Sequence, residues 1–134
     1  ELPAQVKAAT VVIDATNYFP SRDGERSELT SHQIASSQLV AQHFGTKKVV
    51  KAFNTIAMTK IRSLAKPNQP AGRIAIPIAG DDAAAKKTVT ALIEKIGFDV
   101  VDLGDLANSY PAEADGPLFL FTGDADQVRA QANK

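Results

Sequence analysis

Short, unbroken apolar runs separated by stretches with helical spacing constrain this chain more than any other feature. Ala9-Thr10-Val11-Val12-Ile13-Asp14-Ala15 is the first of them. It is β-branched and does not alternate, so it reads as a strand buried on both faces of a parallel sheet. Thr30-Ser31-His32-Gln33 then offers a capping box, and the spacing predicts a helix from about Ser31 to Phe44 with Gly45 as its stop. Lys48-Val49-Val50-Lys51-Ala52-Phe53 is a second buried strand, followed by a short helix over Ile56 to Leu64. Arg73 to Ala79 is a third strand. Pro77 cannot donate to a ladder, which places that strand near an edge or at a bulge. Ala85, Val89, Leu92, Ile93 and Ile96 recur at helical spacing after Gly80-Asp81-Asp82, and Gly97 ends that helix. A last strand covers Phe98 to Leu103, an apolar patch covers Pro117 to Phe121, and the polar end from Asp124 is helical or frayed. This alternation predicts an α/β fold with a doubly wound, mainly parallel sheet and right-handed crossovers.

Ligands in such sheets lie beyond the carboxyl ends of the strands. That rule selects Thr16-Asn17 after the first strand and Asn54-Thr55 after the second. The bulk properties narrow the function without naming it. The 134 residues suit one domain, and 15 basic against 15 acidic side chains favour neither nucleic acid nor an anionic membrane. No apolar run approaches a bilayer span, and Glu1-Leu2-Pro3-Ala4 does not open a secretory signal. With no cysteine, disulfides and thiolate chemistry are excluded, and a cytoplasmic setting is the plain expectation.

Four blocks carry a resemblance. They are Val12-Ile13-Asp14-Ala15-Thr16-Asn17-Tyr18-Phe19-Pro20, Val49-Val50-Lys51-Ala52-Phe53-Asn54-Thr55-Ile56, Ile78-Ala79-Gly80-Asp81-Asp82, and Gly97 through Leu106. In this order, over roughly residues 2 to 121, they resemble the coenzyme F420-dependent NADP oxidoreductase family, whose bacterial members are described as dinucleotide-binding enzymes. The resemblance implies the C-terminal half of a Rossmann-like domain. It implies NADP as cofactor, and a deazaflavin (F420) or flavin-like acceptor of hydride. Family members open with a strand, a glycine-rich phosphate turn and a helix. No G-x-G-x-x-G occurs among the eight glycines here, so residues 1–134 are read as a partial domain whose phosphate-binding half precedes Glu1. Asp105 stands where many relatives have Pro.

The expected cofactor-binding residues are Thr16, Asn17, Ala52, Asn54 and Thr55, whose role is to orient rings; catalytic residues are left unassigned, and no metal site is expected. Each has a plainer reading: turn hydrogen bonds for Thr16 and Asn17, a helix cap for Asn54 and Thr55, ordinary core packing for Ala52. Tyr18, Phe19 and Pro20 form an apolar rim that lines a pocket or covers the sheet end. Asp81 and Asp82 read as caps, because carboxylates at a helix N-terminus repel an anion. His32 and His43 stand eleven apart on one expected helix, too far to share a metal. Ser36 and Ser37 lack a nucleophile elbow. Lys51, mid-strand, must find a carboxylate or an edge. Arg22 is a loop cation facing an acceptor tail or solvent. The expected partners are a nucleotide and a small redox acceptor. The rival is a non-catalytic nucleotide- or protein-binding module whose first strand, left as an apolar edge, pairs into a homodimer.

Overall fold

The computed structural model describes residues 4–134. Residues 2 and 3, where the resemblance begins, lie outside it. After a short helix α1 (Ala4–Lys7) come β1 (Val12–Asp14), single-turn helices α2 (Pro20–Asp23) and α3 (Ser27–Thr30), and α4 (Ser36–Phe44). They are followed by β2 (Val49–Lys51), α5 (Met58–Leu64), β3 (Ala75–Gly80), α6 (Ala83–Ile96) and β4 (Asp99–Asp102). Two 3₁₀ turns at Leu106–Asn108 and Tyr110–Ala112 precede α7 (Ala125–Ala132). The fold is α/β, with helices about a mostly parallel four-stranded sheet in the order β1-β2-β3-β4.

Side chains of successive strand residues alternate between the two faces, and the cores follow that period. Val50, Ile76 and Ile78 turn to one face, where Ala85, Val89 and Ile93 of α6 cover them with Ile61 and Leu64 of α5. Val49 and Ala79 turn to the other, against Val40 and Ala41 of α4. Ala75 and Val101 pack with Val128 of α7 and with Leu118, from the apolar patch of the tail. Helices therefore lie on both faces, as the alternating pattern predicts.

Four details depart from the sequence reading. β2 and β3 run antiparallel, although β1–β2 and β3–β4 are parallel. The seven residues of α5 rise only about 10 Å, and the chain turns back beside β2 without a full crossover. Pro77 sits in an interior strand, yet only Ala79 and Gly80 of β3 pair with β2. Ala75, on the same side as Pro77, sends its N–H to Gly123 O, so the missing donor falls where no strand is paired. The helix expected from Ser31 is broken. Thr30 ends α3, His32 takes φ 58°, and α4 begins at Ser36. Gln38 accepts from the Ala35 N–H at 2.8 Å, where Gln33 was expected to close a box with Thr30. Finally, β1 is only half-buried at Val12 and Ile13, because no strand among the described residues pairs with its far side.

Gly45 and Gly97 both end helices in left-handed backbone. A Cβ at Gly45 meets nothing within 4 Å, whereas one at Gly97 lands on the backbone of Lys66 and Pro67. Gly97→Ala is therefore expected to cost about 3 kcal/mol or more, and Gly45→Ala about 1 kcal/mol. Urea unfolding of the two variants checks this; equal losses would mean the α6–loop contact is looser than described.

Candidate functional site

Asp14 and Lys51 are the only charged residues in β1 and β2, and they are register partners on neighbouring parallel strands. Both face α4. Asp14 is 3% exposed and Lys51 1%. They form no direct ion pair. Ser37, wholly buried in the first turn of α4, bridges them: its hydroxyl donates to Asp14 Oδ2 at 2.6 Å and accepts from Lys51 Nζ at 3.1 Å. Asp14 Oδ1 accepts from the Thr16 hydroxyl at 2.6 Å and the Thr16 N–H at 2.9 Å. Lys51 also donates to Ser36 Oγ at 3.4 Å. Ser36 in turn sends its backbone N–H to Glu113 Oε1 at 2.9 Å, so a carboxylate from the 3₁₀ segment occupies the positive end of α4.

Burial lowers the pKa of Lys51 from its ordinary 10.5, against the opposing pull of the Asp14 and Glu113 carboxylates. Of the two sets of influences, desolvation wins.

Above this floor lies a cavity of about 150 Å³, lined by Asn17, Tyr18, Phe19, Leu29, Ser36, Lys51 and Glu113, among others. Its aromatic wall is fixed in place. The Tyr18 hydroxyl donates to Gly24 O at 2.7 Å and accepts from Arg26 N–H at 2.9 Å. Phe19 meets Phe119 edge-on with centroids 5.9 Å apart, and the Arg22 guanidinium lies 5.0 Å from its ring. Arg22 is occupied by Asp23 and the Asn17 carbonyl; the same contact holds the exposed Asp23 carboxyl at about 2.

The five residues expected to bind cofactor divide. Asn17 and Asn54 are joined: Asn17 Nδ2 donates to Asn54 O and Asn54 Nδ2 to Asn17 Oδ1, each at 3.1 Å. Asn54 also donates to Ala112 O, and its own Oδ1 is buried without a partner. Of the five, only Asn17 lines the cavity. Thr16 is exposed and spent on Asp14. Ala52 is fully buried in the core on the α5–α6 face, opposite to Lys51. Thr55 is 2% exposed, and its carbonyl accepts from Leu120 N–H at 2.9 Å. Asp82 caps α6 by accepting from Ala85 N–H at 2.8 Å. Asp81 instead accepts from Leu106 N–H at 2.9 Å.

The sequence reading missed Glu113 altogether, and it left Lys51, Ser36 and Ser37 without a role. The signal was present for Lys51: a single cation and a single carboxylate at matching places in adjacent apolar strands. Glu113 carried none, since its approach depends on how the chain after β4 folds back. His32 is also corrected. It lies in a turn, its ring tilted 58° against that of Tyr110 with centroids 4.2 Å apart, with Nδ1 at 3.8 Å from Glu113 and Nε2 at 3.2 Å from Asp115. Each ring nitrogen faces a different carboxylate, which suits a clamped imidazole; a metal would gain only one of the two nitrogens.

No family model matches the chain. Among curated proteins it is 31% identical over 107 residues to metalloreductase STEAP3 of Rattus norvegicus, covering 80% of this chain and 20% of that protein. Among solved structures it is 31% identical to the hypothetical protein SMa0349 from Sinorhizobium meliloti. That match has a TM-score of 0.67 and covers 88% of this chain and 58% of that one. It is 34% identical to a putative F420-dependent NADP-reductase from Arthrobacter sp. FB24, over 56% of this chain and 34% of that one, with a TM-score of 0.46. The chain thus spans about a fifth of the curated relative and under two thirds of the solved ones.

The Lys51 shift gives a stability test. Between its lowered folded-state pKa and 10.5, the unfolded chain holds a proton on Lys51 that the folded chain has released. Stability from this residue therefore rises with pH across that window. Lys51→Met removes the rise, so the wild-type minus variant difference in urea stability grows as the pH climbs through that window towards 10.5; a flat difference contradicts it. The strand-end motifs thus have counterparts among known proteins: in sequence the chain is similar to a metalloreductase and to a putative F420-dependent NADP-reductase, and in fold to SMa0349.

Proposed function

We propose that this chain is part of an NADPH-dependent reductase that transfers hydride between NADP(H) and a flavin- or deazaflavin-like acceptor. The observation that carries the reading is the cavity at the carboxyl ends of β1 and β2, polar at its floor and aromatic on its wall, where an α/β sheet binds its ligand. The four strand-end motifs and the likeness to a metalloreductase support it.

The residues fit one end of such a cofactor. An apolar cavity of about 150 Å³ is known to hold a single benzene-sized ring, so this one suits one ring and not a three-ring system enclosed whole. Asn17, Lys51 and Glu113 would orient the ring, and Tyr18, Phe19 and Leu29 would exclude water from it. Behind Asn17, Asn54 Oδ1 is buried without a partner, at a cost of about 1–3 kcal/mol. A bound nicotinamide supplies the hydride, and the protein's part is placement. The pyrophosphate finds no glycine-rich turn among the described residues. In our reading residues 1–134 form a partial domain, and the strand that precedes them adds to β1. Val12 N–H and Asp14 O are used on β2, so Ile13 turns its N–H and C=O to the open side.

That open edge also favours a second reading, a non-catalytic binding module whose β1 pairs with another copy as a homodimer. Enzyme and module separate by assay. The 134-residue chain alone is expected to bind NADPH no tighter than roughly 1 mM, near the weak end of specific binding. A longer protein carrying a glycine-rich turn ahead of residue 1 is expected to oxidise NADPH when a deazaflavin or flavin is added. Micromolar NADPH binding by the short chain would overturn the partial-domain reading. Absence of any acceptor reduction by the longer protein, with a stable dimer of the short one in light scattering, would favour the module.

A further inference from the structure

Two groups on the cavity wall have hydrogen-bonding capacity left over. An ammonium offers three donors, and Lys51 Nζ has two partners among the described residues, Ser36 Oγ and Ser37 Oγ. Glu113 spends Oε1 on the Ser36 N–H, while its Oε2 makes no hydrogen bond and lies 3.8 Å from His32 Nδ1. Both residues line the same cavity, and no ion pair joins them directly. A donor and an acceptor facing one ring-sized space match a group that carries an acceptor and a donor side by side.

Charge selects among such groups. Asp14 and Glu113 together outnumber Lys51, so a ligand bringing another negative charge meets net repulsion. A neutral amide does not. Its C=O takes the ammonium proton that lacks a partner, and its N–H takes the free carboxylate oxygen. The space admits one ring, with Phe19 and Tyr18 against its faces or edges.

We propose that Lys51 and Glu113 form a donor–acceptor pair that selects a planar ring bearing an amide, with the carbonyl on Lys51 and the N–H on Glu113. This rests on the reductase reading for the source of the ring, and two sources share the chemistry. One is the carboxamide of a nicotinamide. The other is the cyclic imide of a flavin- or deazaflavin-type pyrimidinedione. In either case Lys51 and Glu113 determine specificity, and Ser36 and Ser37 are positioning residues that hold the ammonium in place.

The test uses the 134-residue chain and no reductant, so it stands apart from any failure to oxidise NADPH. Nicotinamide and uracil represent the two sources. 3-Acetylpyridine keeps the ring and the carbonyl of nicotinamide but has no N–H. Binding is followed by NMR on the chain with lysine side chains labelled at Cε. At least one amide ring is expected to bind about tenfold tighter than 3-acetylpyridine, with the Lys51 resonance moving while those of exposed Lys47 and Lys48 stay still. Lys51→Met is expected to lower that affinity about tenfold. Glu113→Gln is expected to bring it near that of 3-acetylpyridine, because the one remaining carbonyl oxygen is taken by Ser36. The resonance shift in the wild type stands even if a variant folds poorly. No binding of either amide ring, equal binding of 3-acetylpyridine, or an unmoved Lys51 resonance would overturn the proposal.

Discussion

Two buried ionisable side chains stand side by side, Asp14 on β1 and Lys51 on β2, and a single serine hydroxyl lies between them. Burying a charge costs several kcal/mol unless its partners are well placed. Here they are supplied by the chain next to each strand. Thr16, two residues past the end of β1, gives Asp14 two donors; the first turn of α4 gives it a third and gives Lys51 two acceptors. The geometry that satisfies both charges therefore also fixes how α4 sits on the strands. It leaves one ammonium proton over, and the cavity lies at that place.

The same arrangement explains why the 3₁₀ segment after β4 matters. Glu113 comes to the N-terminus of α4, Ala112 O receives Asn54, and Leu120 N–H reaches Thr55 O. Three contacts from one stretch of chain close over the end of β2. They bury Asn54 and Thr55, and they turn the tail from an appendage of the sheet into a wall of the site.

Much of this was legible in the sequence, and the limits have physical causes. Strands such as Val49-Val50-Lys51 announce themselves because both faces are buried, and α6 does so because its apolar stripe is unbroken from Ala85 to Ile96. Direction does not show in such patterns, so the antiparallel step from β2 to β3 was invisible. The break at His32 was hidden because Thr30 and Gln33 imitate a cap; the turn is decided instead by contacts of the His32 ring with Tyr110 and Asp115, far along the chain. The joining of Asn17 to Asn54 follows from two strand ends being neighbours, which the sequence could suggest. Glu113 could not be suggested, because its role comes from a fold-back that leaves no periodic trace.

Asp14 and Lys51 are joined as one unit through Ser37. A double-mutant cycle with Asp14→Asn and Lys51→Met, read by urea unfolding at neutral pH, measures that link directly. Coupled charges predict an interaction energy of about 1 kcal/mol or more, with the double variant less destabilised than the sum of the singles. Single losses that simply add would show the two residues to be independent, and the cavity floor would then lack the connection described for it.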